Sequence, residues 1–513
     1  MRIRGAVIAA GLTCAIGALP NAASAQELRV GFSADVLTFD PANHRNRETE
    51  TIIRNVFDGL LTRSPEMAVV SELAESWKQV DTTTYDFKIR SGVTFHDGTP
   101  MTAEDIKFTF DRLSVDGAME GKTSPRKGLL GPLQGVEIVG ADTVRLKLAQ
   151  PWPMLPAMLP FQEVVSKRFT ASTGSDGMAT RANGTGPFKL IEWRKGDSVI
   201  LERFDAYYGG AADLKPVGKA CVERVIFKII PESASRVAAL LAGDVHIVNE
   251  LPAHAMAQVK ANPTTDVLTV NGTRTFFVAL NTTMPPFDNP LVRQAANHAL
   301  NKKLIIDKIL NGTATPLNGV MSPDAFAFNA NLPEYAFDPK LAKELLAKAG
   351  HPNGIDAKLD ALGPDKDTAE AIAALLTKAG IRTQVQVGEA SLVREKWLKK
   401  GTDKDGDMWL ISWGNGSLDP VDIMEPTLKT NGRGNYAGYS SPEVDRLIDE
   451  AGLEIDPTKR AKLYQTAQEI IHNDAPWIFL WLPQDIYGVS KRLTGWKPSA
   501  DSRINLHDAC LKS

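Results

Sequence analysis

Apolar residues recur along the chain with two periods, and the switches between them outline the elements. Residues 27–32 alternate as an opening strand. A turn-rich stretch, 33–44, follows. Ile52, Ile53, Val56, Phe57, Leu60 and Leu61 then fall at helical spacing within 47–61. Strand alternation returns at 84–89 and 144–148. Between these strands Thr102, followed by Glu104 and Asp105, has the chemistry of a helix start: a hydroxyl for the free amides and acids in the first turn. Residues 121–135 lack periodicity and read as a surface loop, 150–160 is proline-rich, and the polar 172–186 reads as a crossing between domains. Residues 188–192 and 198–203 read as a hairpin. The segments 225–230, 232–243 and 245–248 form a strand–helix–strand unit of the kind that builds parallel sheet.

From 275 the punctuation changes. A strand at 276–280 precedes Asn289-Pro290, which opens a helix expected to reach Gly312. Asp338-Pro339 opens a helix over 342–349, and 367–380 is another. Ser441-Pro442 starts a helix ending by Gly452, and Asp456-Pro457 one that runs to Asp474. A capping side chain followed by proline preforms the first helical turn. Strands are expected at 381–387, 477–481 and 486–489. One more strand, 408–413, is apolar except for Ser412 and breaks into Gly414-Asn415-Gly416-Ser417, closed by Pro420. It reads as the end of a parallel-type central strand, and in open α/β sheets the ligand crevice lies beyond such ends. The loop, with Trp413 at its root, is therefore expected to line a site; the alternative is a plain strand and turn with Trp413 in the core.

The length, 513 residues, exceeds what one core holds, so two or more domains are expected. Hydrophobic residues at 43% and charged residues at 23% exclude a disordered or coiled-coil chain. Arg2 and Arg4, the apolar 6–19, the Pro20-Asn21 break and Ala23-Ser24-Ala25 before Gln26 form a secretory signal over 1–25. The apolar run is too short to span a bilayer, and Cys14 lacks the small preceding residue of a lipidated cysteine. The mature chain is expected to be soluble and periplasmic. Its net charge would move from −3 to −5 once Arg2 and Arg4 are removed, which speaks against a nucleic-acid partner. Removal of Cys14 leaves Cys221 and Cys510, a pair expected to form a disulfide in an oxidising compartment, with two buried thiols as the alternative.

Motifs for catalysis are missing. The chain has no Gly-x-Ser-x-Gly elbow, no His-Glu-x-x-His, no phosphate loop and no Cys-x-x-Cys. Gly184-Thr185-Gly186-Pro187 begins like a dinucleotide loop but lacks the third glycine, and Pro187 removes an amide. The eight histidines are scattered, with no local metal-binding spacing. Neither a metal nor a cofactor is called for, and no reaction is specified.

The stretch 85–108, YDFKIRSGVTFHDGTPMTAEDIKF, closely resembles the signature region of the family 5 extracellular solute-binding proteins, the peptide- and nickel-binding subunits of ABC importers. Its turns, at Arg90-Ser91-Gly92 and His96-Asp97-Gly98, lead into the Thr102 cap. Further similarity lies at Gly184-Thr185-Gly186-Pro187-Phe188, Tyr207-Tyr208-Gly209-Gly210, Val292-Arg293-Gln294-Ala295, Ser441-Pro442-Glu443 and Asp474-Ala475-Pro476-Trp477. The resemblance implies an α/β fold of two lobes, a large type II periplasmic binding protein with an extra subdomain in the first lobe. Lobe I would comprise 26–58, 184–277 and 480–513, the added subdomain 59–183, and lobe II 278–479. It also implies a monomer that closes around a small solute, a peptide by default, and delivers it to a permease complex of two transmembrane and two ATP-binding subunits.

In the peptide-binding members the resemblance places an aspartate, partner of the peptide ammonium, three residues after the Trp equivalent to Trp413. Here that position is Gly416. Asp419, Asp422 or Asp35 could replace it, and Asn415, Ser417, Arg433 and Asn435 could hydrogen-bond a polar ligand. An opine, a glycoconjugate or oligosaccharide, or a metal chelate is the alternative ligand. A secreted hydrolase or chaperone-like protein is the alternative of another class.

Overall fold

The computed structural model describes residues 26–215, 217–399 and 406–512. The expected signal, 1–25, with Cys14, lies outside them. Among the described residues a 12-stranded sheet runs through the molecule. Its central member is the 14-residue strand Trp477–Ser490. The first half of that strand pairs antiparallel with Arg274–Leu280, and the second half with Thr265–Asn271 and Ile247–Val248. The change of partner falls at Pro483, opposite Gly272, whose amide donates to the Pro483 carbonyl at 3.0 Å. Two chain passages thus connect the halves of the sheet, one at Gly272 and one at Pro483. The strands expected at 477–481 and 486–489 are one element. Pro483 does not interrupt it, because its carbonyl side carries the pairing.

On one side of the crossing, Glu27–Phe32 lies parallel to both Arg224–Ile229 and Ile247–Val248. Helix Ser233–Ala242 connects the latter two, capped by the Glu232 carboxylate and ended by left-handed Gly243. The hairpin Phe188–Arg194 and Ser198–Arg203 completes this half, and Cys221 is bonded to Cys510, with 5.3 Å between their Cα atoms. On the other side, Met408–Gly414 lies between Arg274–Leu280, antiparallel, and Ile355–Leu362, parallel. It is central, as its composition implied, but only one neighbour is parallel. A separate four-stranded antiparallel sheet within 74–148 carries helix Ala103–Ser114, whose Thr102 and Asp105 form a reciprocal capping box.

Departures from the expected elements have local causes. The helix expected over 47–61 stops at Ile53. The carbonyls of Asn55 and Val56 accept from Phe188 and Gly186, so they are not available to a continuing helix. A Cβ on Gly184 would lie 2.0 Å from the Val56 carbonyl oxygen, which explains the glycine there. The helix expected over 290–312 is two, Pro290–His298 and Lys302–Lys308, because the Asn301 side chain caps the Leu304 amide. Strand Leu133–Gly140 begins inside the expected loop, and helix Lys167–Met178 enters the expected crossing, kinked at Gly174. Helix Pro442–Leu453 buries Val444, Leu447, Ile448 and Ala451 in the cluster that also holds Tyr464 and Ile471 of Pro457–Asp474. Each large apolar side chain there contributes about 1.5–3 kcal/mol.

Candidate functional site

The loop after Met408–Gly414 is held by its own chain. The Asn415 amide donates to Thr273 (2.8 Å), and the Leu418 carbonyl accepts from Phe326 (2.8 Å). Leu418 takes a left-handed conformation, with φ of 57°. Two carboxylates follow that turn. Asp419 points inward and makes a two-pronged ion pair with Arg460, at 2.6 and 2.7 Å, with both side chains buried. Asp422, in the first turn of helix Val421–Leu428, accepts from the Ser417 amide with one oxygen (3.0 Å) and faces a cavity. Its backbone carbonyl accepts from Trp413 Nε1 at 2.8 Å, which sets the ring.

The cavity, about 650 Å³ and partly open, is lined by segments far apart in sequence. Trp409, Trp413, Gly416, Arg433 and Tyr436 form one wall, and Glu50, Arg126, Met158 and Phe161 the facing one. A Cβ on Gly416 would lie 3.7 Å from the Phe161 ring, so the loop and the facing wall are close there. Arg63 ties the two walls behind this point, donating to the Ser417 carbonyl (3.3 Å) and the Ala157 carbonyl (2.7 Å).

The lining is strongly basic. Among the described residues seven arginines and four carboxylates line the cavity, although the whole chain is net negative at −3. Arg126 and Arg503 are tied up: Arg126 pairs with Glu50 and Glu163, and Arg503 pairs with Asp501 at 2.8 Å. Arg47 donates to the hydroxyls of Ser502 (3.0 Å) and Thr273 (3.3 Å). Arg45, Arg274 and Arg433 make no ion pair among the described residues, and Arg433 lies 4.9 Å over the Trp413 ring. Burial, then the charges of Arg433 and Arg126, lower the Arg45 pKa; burial and Arg47 lower that of Arg274. Burial also raises the Asp422 pKa. Behind the cavity, burial works against the Glu50 carboxylate, but Arg126 and Arg503 outweigh it and hold its pKa down to about 2. Burial and the neighbouring Glu50 push Glu163 up to about 8.

Of the residues expected at the ligand, Trp413, Gly416 and Arg433 line the cavity. Ser417 is buried one step behind, and Asn415 is buried with both side-chain amide atoms lacking a hydrogen-bond partner. Three others are turned to other partners. Asp419 is engaged by Arg460. Asn435 bonds to the carbonyls of Lys429 and Tyr439. Asp35 accepts from Trp193 Nε1 (2.9 Å) and the Gly196 amide (2.7 Å). Of the three acids considered for the missing aspartate, the geometry brings only Asp422 to the cavity. Sequence reasoning missed Arg45, Arg47, Arg126 and Arg274. The available signal was the pair of arginines in His44-Arg45-Asn46-Arg47, within a turn region that follows a strand.

The model of the bacterial extracellular solute-binding proteins, family 5 (middle region), matches residues 68–435. The glutathione-binding protein GsiB of Escherichia coli O1:K1 is 28% identical, over 99% of both chains. HbpA2 of Haemophilus parasuis superposes with a TM-score of 0.86 at 26% identity, covering 95% of this chain and 100% of that one. DppA of Helicobacter pylori, a periplasmic binding protein solved with the peptide STSA, gives a TM-score of 0.76 at 28% identity, covering 95% and 98%. The chain belongs to the family 5 extracellular solute-binding proteins and has their two-lobed fold. It acts as the solute-binding subunit of an ABC importer, a transport role.

Proposed function

We propose that this protein captures a short acidic peptide of the glutathione class in the periplasm and delivers it to its importer. The observation that carries this reading is the excess of arginines around a partly open cavity of about 650 Å³ in a chain that is negative overall. A cavity of this size suits a small ligand, and arginine forks suit carboxylates. The relative GsiB, named for glutathione, is consistent with it. Asp422, held by the Ser417 amide at the cavity wall, accepts from a main-chain amide of the ligand. Trp409, Trp413 and Phe161 cover the apolar middle of the ligand. Export would use the signal over 1–25, and the partner would be a permease of two transmembrane and two ATP-binding subunits. Ligand contacts from both walls favour the closed arrangement, because closure follows differential affinity for the two states. Arg63, bonded to Ser417 behind Asp422, strengthens that arrangement once the walls meet.

A thermal-shift panel of glutathione, neutral and cationic dipeptides, an opine, an oligosaccharide and a nickel chelate tests the reading, since a ligand of the folded state stabilises by mass action. Glutathione is expected to raise the melting temperature most. A shift with the oligosaccharide or the cationic dipeptide and none with glutathione overturns it.

A further inference from the structure

The cleft continues past the arginines. A second cavity, about 590 Å³, shares Arg45, Asn46, Arg47 and Arg274 with the first and extends to Glu48 and Asp485. Its charges are of both signs, and they are not satisfied by one another: Arg47 and Arg274 make no ion pair with Glu48 or Asp485 among the described residues. Arg47 is held by two hydroxyls, and Arg274 donates to Ser412 Oγ only at 3.4 Å. Glu48 accepts from Asn46 with one carboxylate oxygen, and Asp485 accepts from the Ser502 hydroxyl with one of its own. The second oxygen of each has no hydrogen-bond partner among the described residues. Charges left open in this way, those of Arg47, Glu48 and Asp485 half-buried and that of Arg274 exposed, are matched to a ligand that carries both signs close together.

Peptides differ in where they carry those signs. In an α-linked peptide the ammonium and the free main-chain carboxylate sit at opposite ends. A γ-linked glutamyl residue keeps its α-ammonium and α-carboxylate on one carbon, so a single chamber with open acids and open arginines can bind both.

We propose that the second cavity is the subsite for an α-amino-acid head, with Arg47 and Arg274 on its carboxylate and Glu48 and Asp485 on its ammonium, and that it makes the protein select γ-linked over α-linked glutamyl peptides. The inference rests on the reading of the cleft as a short acidic peptide site and adds its linkage specificity. The rest of the ligand, with its second carboxylate, then occupies the first cavity beside Arg433 and Trp413.

The test is calorimetric titration of the full mature protein with S-methyl γ-Glu-Cys-Gly and its α-linked isomer, which have the same atoms and charge. The γ isomer is expected to bind at least tenfold more tightly. Glu48→Gln should remove most of that preference by weakening the γ isomer and leaving the α isomer unchanged. Arg274→Gln, at an exposed position, is the second variant if Glu48→Gln does not fold, and it should weaken the γ isomer more than the α isomer. Equal affinities for the two isomers, or equal losses in the variants, overturn the inference and leave the acidic-peptide reading standing. Failure of both isomers to bind overturns both.

Discussion

Replacing Asp419 with alanine separates a structural acid from a ligand-binding one. Asp419 and Arg460 are both buried and meet at 2.6 and 2.7 Å through both oxygens. Asp419 also accepts from the Val421 amide at 3.1 Å. Arg460 remains in place after the substitution, packed 5.1 Å from Phe326 and 5.2 Å from Tyr464, with its charge unmatched. Removing one partner of such a pair costs about 3–5 kcal/mol. The lost Val421 bond adds about 1 kcal/mol. Urea unfolding followed by tryptophan fluorescence should therefore show a large drop in the midpoint. Binding of glutathione, measured in the cold where the variant is folded, should stay within a few-fold of wild type, because no part of Asp419 lines the cavity. Replacing both partners with leucine should recover part of the lost stability, since a buried pair and a matched apolar pair differ little. A variant with an unchanged midpoint and abolished binding would refute this account and return Asp419 to the ligand.

Trp413→Ala should weaken binding by about 1–3 kcal/mol, in the range of a buried aromatic anchor, with little unfolding; unchanged affinity in titration would remove Trp413 from the site. Glu48→Gln should weaken glutathione more than N-acetylglutathione, which has no ammonium to pair, and equal losses would place the ammonium elsewhere. Glu163 has its folded pKa raised from 4.5 to about 8, so the folded state holds this proton where the unfolded chain has released it. Its contribution to stability is therefore lost as pH rises through that window. Glu163→Gln should flatten the fall in unfolding free energy between pH 5 and pH 8, and a variant with the same slope as wild type would contradict the assignment.

Local chemistry was legible in the sequence, and long-range convergence was not. Asn289-Pro290, Asp338-Pro339, Ser441-Pro442 and Asp456-Pro457 each carry cap and first turn within two residues, and each starts a helix. The end of helix Arg47–Ile53 was not readable, because Gly186 and Phe188, which take the carbonyls of Val56 and Asn55, lie some 130 residues further on. The same contrast holds at the site. The apolar strand ending at Trp413 and the glycine-rich loop after it could be read from a few residues. Asp419 and Asp422 could not be told apart, because the distant Arg460, which takes Asp419, decides which of them faces the cavity. Arg45, Arg47, Arg126 and Arg274 were missed for the same reason: they come from three separate segments and join Arg433 in one basic surface only in the fold.

The central claim is that the cleft recognises an acidic peptide through its arginines. The measurement that tests it most directly is calorimetric titration of the mature protein with glutathione, triglycine and a lysine-rich tripeptide at low and moderate salt. Glutathione should bind one-to-one and weaken as salt rises, because charge pairing at exposed arginines is screened, while triglycine binds weakly and the cationic peptide does not bind. Tight binding of the cationic peptide, or no binding of glutathione at either salt concentration, would contradict it.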